Sequence, residues 1–171
     1  MWAFVGVVAA LAGGAGLQEF RSGSPGRDRG LPAGNDAVVR VVDGDTVVLS
    51  SAGKSRLIGV DTPEVFGGQE CFGREASAFA KRLLPPGLRV MVERDVEDRD
   101  RYGRALIYLR LPDRRQFNEL LVAEGFAVPL TIPPNVRHAE RFRALARRAR
   151  RRAAGLWSAR SCAGDPDRRV E

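Results

Sequence analysis

Two aspartates, Asp45 and Asp61, flank a short β-prone stretch that turns at Ser51-Ala52-Gly53-Lys54. A hairpin whose pairing is centred on Gly53 would set them directly across from one another at its open end. Like charges in that relation are destabilising unless something neutralises them. A hard divalent cation would do so, because calcium takes carboxylates and carbonyls alike at about 2.3–2.6 Å. Thr62 and Glu64 follow closely enough to add a carbonyl and a further carboxylate. Asp43-Gly44-Asp45-Thr46 also suits a plain turn, and taken alone the turn is the simpler reading. Two arginines shift the balance. Arg56 opens the strand that leads to Asp61, and Arg104 follows Tyr102-Gly103 at the start of a later strand. A phosphodiester transition state gathers negative charge on its non-bridging oxygens, and a metal with two guanidinium forks lowers its energy. Arg56 and Asp61 are five residues apart, so strict strand alternation would turn them to opposite faces. A bulge or bend near Gly59 would bring them to one side.

The elements that must hold these residues begin abruptly at residue 37, where short β-branched runs replace sequence without periodicity. Strands are predicted at 37–42, 46–50, 55–60, 88–94 and 104–111. A helix is predicted over 74–84, with Ala76, Phe79, Ala80, Leu83 and Leu84 at helical spacing before Pro85-Pro86-Gly87 ends it. A second helix, 116–124, turns Phe117, Leu120 and Leu121 inward and stops at Gly125. The third, 137–154, carries a stripe of Phe142, Leu145, Ala146 and Ala149 among many arginines, which read as a solvated face.

A chain of 171 residues fits one domain, and 44% hydrophobic with 29% charged residues belongs to a soluble globular protein. The net charge of +7 is carried almost wholly by arginine, Lys54 and Lys81 being the lysines. Arginine's planar fork matches phosphate oxygens two at a time, so a polyanionic partner is expected, nucleic acid first and an anionic membrane second. Part of the arginine excess also fits a GC-rich genome. Residues 2–12 are apolar for about the length of a signal-peptide core. Ala10-Leu11-Ala12 has the form of a cleavage site, so residues 1–36 read as a signal-like segment and flexible linker, with a secreted or cell-surface location. Retained, residues 2–12 would act as a transient membrane anchor. Residues 37–158 form the domain and 159–171 a polar tail. An even cysteine count in an exported chain favours a bridge between Cys71 and Cys162, closing a loop of about 90 residues for about 4–5 kcal/mol in chain-entropy terms.

Val42-Asp43-Gly44-Asp45-Thr46-Val47, Arg56-Leu57-Ile58-Gly59-Val60-Asp61-Thr62-Pro63-Glu64, Gly73-Arg74-Glu75-Ala76-Ser77, Tyr102-Gly103-Arg104 and Leu156-Trp157-Ser158 together resemble the thermonuclease family, staphylococcal nuclease and its homologues. The likeness spans about residues 37–158 in order. It implies a mainly β fold with helices (α+β), an OB-type five-stranded barrel with three α-helices. It implies calcium held by Asp45, Asp61 and the carbonyl of Thr62, with Arg56 and Arg104 on the scissile phosphate and Tyr102 at the substrate. It implies Glu64 as the residue that orients or deprotonates the attacking water, with in-line attack on phosphorus in DNA or RNA and 3′-phosphate ends. A monomer with no obligate protein partner is expected. The family's best-known member has two tyrosines where Pro129-Leu130-Thr131-Ile132-Pro133-Pro134-Asn135 has no aromatic, and stacking is worth about 1–3 kcal/mol per base. The insert at 65–72 lies near the expected site and would reshape its rim.

The alternative is a non-catalytic OB-fold nucleic-acid-binding module, which has no need of a paired-aspartate cation site. His138, the one histidine, reads as a solvated helix residue, so chemistry needing two imidazoles is excluded. Neither lysine sits in a Glu-x-Lys setting, and one cysteine pair does not make a zinc site.

Overall fold

In a computed structural model the chain is described over residues 34–65 and 70–165. The apolar segment at 2–12, most of the linker, residues 66–69 of the insert and the end of the tail from 166 lie outside the described residues.

Five strands close into a barrel: β1 (Asp36–Val41), β2 (Thr46–Leu49), β3 (Gly53–Leu57), β5 (Arg89–Glu93) and β6 (Ala105–Arg110), in the order β1-β2-β3-β6-β5. β5 returns to β1 at Asp36↔Val90 and Ala37↔Arg89. β3 and β6 run parallel, which places Arg56 beside Leu106 and the start of β6 beside the start of β3. Inward positions of the strands, Val38, Val47, Leu49, Leu57, Val90, Ile107 and Leu109, are buried and meet Phe117 and Leu121 of α2 (Phe117–Ala123). α1 (Gly73–Leu83) buries Ala76, Phe79 and Ala80, and α3 (Ala139–Arg151) buries the Phe142, Leu145, Ala146 and Ala149 stripe. The amphipathic periods read from the sequence are therefore those the core uses. α3 is shorter than its pattern at both ends: His138 is its N-cap, and the chain leaves the helix at Ala153, with φ 49.

Two expectations are corrected. The first hairpin pairs Leu49 with Gly53 and Thr46 with Arg56, so it is centred on Ser51 and not on Gly53. Gly53, at φ 74, closes a three-residue turn in the left-handed region. Asp36 fixes that turn, its carboxylate accepting from the Ser50 hydroxyl and the Ser51 and Ala52 amides. Asp45 consequently lies opposite Leu57, whose N–H donates to the Asp45 carbonyl, and not opposite Asp61.

The third strand also ends at Leu57, three residues before its predicted end. Ile58-Gly59 makes a turn, with Gly59 at φ 80, and the chain resumes as the two-residue strand β4 (Val60–Asp61), paired with β7 (Val128–Pro129). A Cβ on Gly59 would run into the Phe142 ring. Buried Asn118 of α2 pins the turn by donating to Ile58 O at 2.9 Å while accepting from Leu109 N at 3.0 Å.

The Cys71–Cys162 bridge is present, Cα–Cα 5.7 Å, and is buried with Leu156 beside Phe72 and Trp157. The start of the expected tail is thus covalently tied to the domain.

Candidate active site

The turn at Ile58-Gly59 redirects the chain so that Asp61 comes back toward Arg56, as a bend there requires. Arg56 is the hub. Its Nη1 meets Asp45 Oδ1, its Nη2 donates to Asp61 Oδ1 at 2.5 Å, and Nη2 also reaches Val60 O at 3.3 Å. The Arg56 side chain is 16% exposed and that of Asp45 4%, while the Asp61 side chain is 48% exposed. The second Asp45 oxygen accepts from Thr62 N at 2.9 Å and Thr62 Oγ1 at 3.0 Å. Thr62 is therefore locked to Asp45 through its amide and hydroxyl. Turn chemistry falls to Asp43, whose Oδ1 accepts from Asp45 N at 3.1 Å and Thr46 N at 2.7 Å. That division of labour leaves the Asp45 carboxylate for the site.

Arg104 is positioned by a residue the sequence reading missed. Asp100 Oδ2 accepts from Arg104 Nε at 2.6 Å, and its Oδ1 accepts from the Tyr102 and Arg104 amides at 2.9 Å. Burial alone would raise the Asp100 pKa, but these donors and the Arg104 charge together hold it below the usual carboxylate value. The spacing Asp100-Arg101-Tyr102-Gly103-Arg104, a tight turn with a carboxylate at its first position, is the signal that could have found it. Tyr102 stands 68% exposed on the rim, with the guanidiniums of Arg101 and Arg104 over its ring at 4.8 and 5.5 Å.

Arg56, Tyr102 and Arg104 line one groove of about 520 Å³ that the Ile58-to-Val60 turn also borders. Its far wall is aliphatic, from Leu130 and Ile132, where no aromatic was expected. Asn135 clamps that side by accepting from Glu97 N at 2.8 Å and donating to Glu97 O at 2.9 Å. Arg104 makes no bond to the aspartate pair; it shares the groove with Arg56. Glu64 is exposed and does not line the groove, yet it lies within electrostatic reach of Arg56 and Asp61. Its pKa is raised, first by partial burial and then by Asp43, with Arg56 opposing and Glu70 and Asp61 adding to the rise.

Among the described residues no group of three or more His, Cys, Asp or Glu side chains stands in metal-binding geometry. The donor type at the aspartate pair is nevertheless the one a hard cation takes. One oxygen each from Asp45 and Asp61 converges on a single centre of positive charge, now supplied by Arg56, and every donor is oxygen.

His138 corrects the solvated reading. Its ring stands edge-on to Tyr108 at 4.5 Å and tilted to Phe142 at 6.0 Å, and burial lowers its pKa. It packs the start of α3 against the barrel and stands apart from the groove lining.

A closed five-stranded barrel with three helices, bearing an Asp-Arg-Asp cluster whose arginine borders a groove, is the architecture to which the comparisons with known proteins give a family. The chain belongs to the staphylococcal nuclease homologue family, whose family model matches residues 54–159 and so includes Arg56, Asp61, Thr62, Glu64 and Arg104. It is 37% identical over 151 residues to a protein named thermonuclease from Staphylococcus hyicus, across 83% of this chain and 88% of that one. The thermonuclease of Staphylococcus intermedius is 37% identical over 126 residues, 70% of this chain and 74% of that one. Endonuclease YncB of Bacillus subtilis (strain 168) is 32% identical over 148 residues, 82% and 69% respectively.

Proposed function

We propose that the chain is a calcium-dependent nuclease that hydrolyses phosphodiester bonds in DNA or RNA. The observation that carries this reading is the Arg56 guanidinium held between Asp45 and Asp61 on a groove that also presents Arg104. Relatives named thermonuclease and endonuclease support it.

Asp45, Asp61 and the Thr62 carbonyl would hold the cation, and bound calcium would supply positive charge against the charge that develops on the phosphate. With the cation in its place between Asp45 and Asp61, the Arg56 Nη groups that now meet those carboxylates would be released, and the Arg56 and Arg104 forks would bind the non-bridging oxygens and gain strength as those oxygens acquire charge. Asp100 fixes the Nε face of Arg104 and so aims its terminal amino groups. Tyr102 borders the substrate at the rim. Glu64 accepts a proton from water as the water attacks phosphorus in line. The P–O5′ bond breaks opposite the attack and the departing oxygen takes a proton from solvent, leaving a 3′-phosphate and a 5′-hydroxyl.

The enzyme acts as a monomer outside the cytoplasm, with residues 1–36 serving for export and as a linker. A buried disulfide suits an oxidising compartment, and among the described residues no helix is long and apolar enough to cross a membrane.

Incubating the full chain with DNA and with RNA, in calcium or in chelator, tests the reading. Cleavage in calcium alone is expected, with fragments that terminal transferase extends only after phosphatase treatment. Cleavage that persists in chelator would remove the calcium role. Tight binding with no cutting would leave the binding module.

A further inference from the structure

The stretch that leaves the site at Glu64 returns at Glu70, and two hydrogen bonds clasp its ends. Glu70 N donates to Glu64 O at 3.0 Å, and Glu64 N donates to Glu70 Oε2 at 2.8 Å. The second bond has an ionised acceptor and is the stronger kind. It grips the backbone of Glu64 itself, the residue assigned to the attacking water.

Glu70 is braced in turn from its C-terminal side. Its carbonyl accepts from Gly73 N at 3.2 Å, and the next residue, Cys71, is bonded to Cys162. Phe72 turns into α1 through the left-handed region at φ 71, and its ring stacks on Phe126 at 5.4 Å. Gly73 approaches so closely that an added Cβ would lie 2.6 Å from Glu64 O. This corner already contains Asp43, Asp61 and Glu64, and Glu70 adds a further negative charge to it.

We propose that Glu70 is a positioning residue for Glu64, its carboxylate fixing the Glu64 backbone, and that the Cys71–Cys162 bond braces this clasp to the C-terminal segment. The proposal rests on the reading of Glu64 as the water-directing group. A misplacement of about 1 Å at such a group can cost about 100-fold in rate.

The full chain is assayed for DNA cleavage in calcium as wild type, Glu70→Ala, Glu70→Gln and the double variant Cys71→Ser/Cys162→Ser. Hydrogen exchange at the Glu64 amide is measured on each. Glu70→Ala is expected to lower kcat about tenfold, to leave KM within about twofold, and to speed exchange at Glu64. Glu70→Gln keeps an acceptor oxygen, so kcat and exchange should return to within about threefold of wild type. The double cysteine variant, assayed where circular dichroism shows it folded, should speed Glu64 exchange and lower kcat in the same sense. An unchanged kcat in Glu70→Ala, a Glu70→Gln as slow as Glu70→Ala, or unchanged Glu64 exchange in the double variant would overturn the proposal. A wild type that binds DNA without cutting it would remove the nuclease reading instead. Exchange would then decide the clasp alone, acceleration in Glu70→Ala but not in Glu70→Gln supporting it and no acceleration refuting it.

Discussion

Arg56 and the arginines on the last two turns of α3 are the same residue in opposite circumstances. Arg56 is mostly enclosed and held by two carboxylates and a carbonyl. Arg147, Arg148 and Arg151 stand exposed to solvent. Arg141 and Arg143 pair with Glu119 and Glu140, again at the surface, where such pairs are worth about 0–1 kcal/mol. Arg150 lies over the Trp157 ring at 4.2 Å. Cations near a helix C-terminus also complement its dipole. The difference teaches that the number of arginines says little about function. What counts is whether the surroundings fix the guanidinium and keep water from screening it.

The sharpest break of that contrast is Arg56→Lys, which keeps the charge and loses the fork. We expect kcat to fall by about 100-fold or more, with the half-saturating calcium concentration held within about twofold. Recovery of rate on adding calcium would show Arg56 to be only a counter-charge.

Asp45→Ala and Asp61→Ala should both raise the calcium requirement, and part of the lost rate should return as calcium is raised. Their stabilities should differ. Asp45 is buried and accepts from Thr62 twice and from Thr46 Oγ1, so its loss should cost about 2–3 kcal/mol. Half-exposed Asp61 should cost under about 1 kcal/mol. Equal losses in thermal denaturation would show that Asp45 is held no better than a surface charge.

Asp36 sharpens the comparison from the acid side, because it is anchored by backbone amides and one hydroxyl and by no arginine. Burial raises its pKa, but the Ser50 hydroxyl and the Ser51, Ala52 and Ala37 amides outweigh it and bring it to about 2. The unfolded value is about 3.9, so this contribution is complete above that pH and is lost as pH falls through about 2. Allowing for solvent screening, it is about 1–2 kcal/mol. Asp36→Asn should therefore have a lower urea midpoint than wild type at pH near neutrality, the two converging in acid. A gap that stays constant with pH would refute the ionic account.

The smallest effect is expected from α3. Replacing Arg147, Arg148, Arg150 and Arg151 with Gln should raise KM by about threefold at low salt, less at high salt, and leave kcat unchanged. A large fall in kcat would move the working face of the molecule to α3.

Much of this site was legible because charge chemistry is local in sequence. Asp45, Asp61, Arg56 and Arg104 announce themselves by type and spacing, and the strand geometry around Arg56 and Asp61 demanded the bend that Gly59 provides. The aspartates meet by a route other than the expected register. Gly53 closes the turn, because Asp36, 15 residues before Ser51, captures the turn amides, and a hairpin read alone cannot show that partner. β4 and β7 are two residues each, too short for any period to reveal. His138 looked solvated because its neighbours in sequence are charged, whereas its neighbours in space, Tyr108 and Phe142, come from β6 and α3. Asn118 carried no signal at all, since a buried amide inside a helix is identified only by the carbonyls it reaches.

The Gly59 turn is shared property. One side lies on the Phe142 ring, and its neighbour Ile58 is held by Asn118 of α2. Any side chain placed there must push against Phe142 of α3, and a shift of the turn would disturb the approach of Asp61 to Arg56. Mutational tolerance is therefore coupled here: this stretch cannot drift to adjust the helix without also adjusting the site. A change at Phe142 that made room for the methyl group of Gly59→Ala would still leave an L side chain at φ 80, so space alone would not free the position.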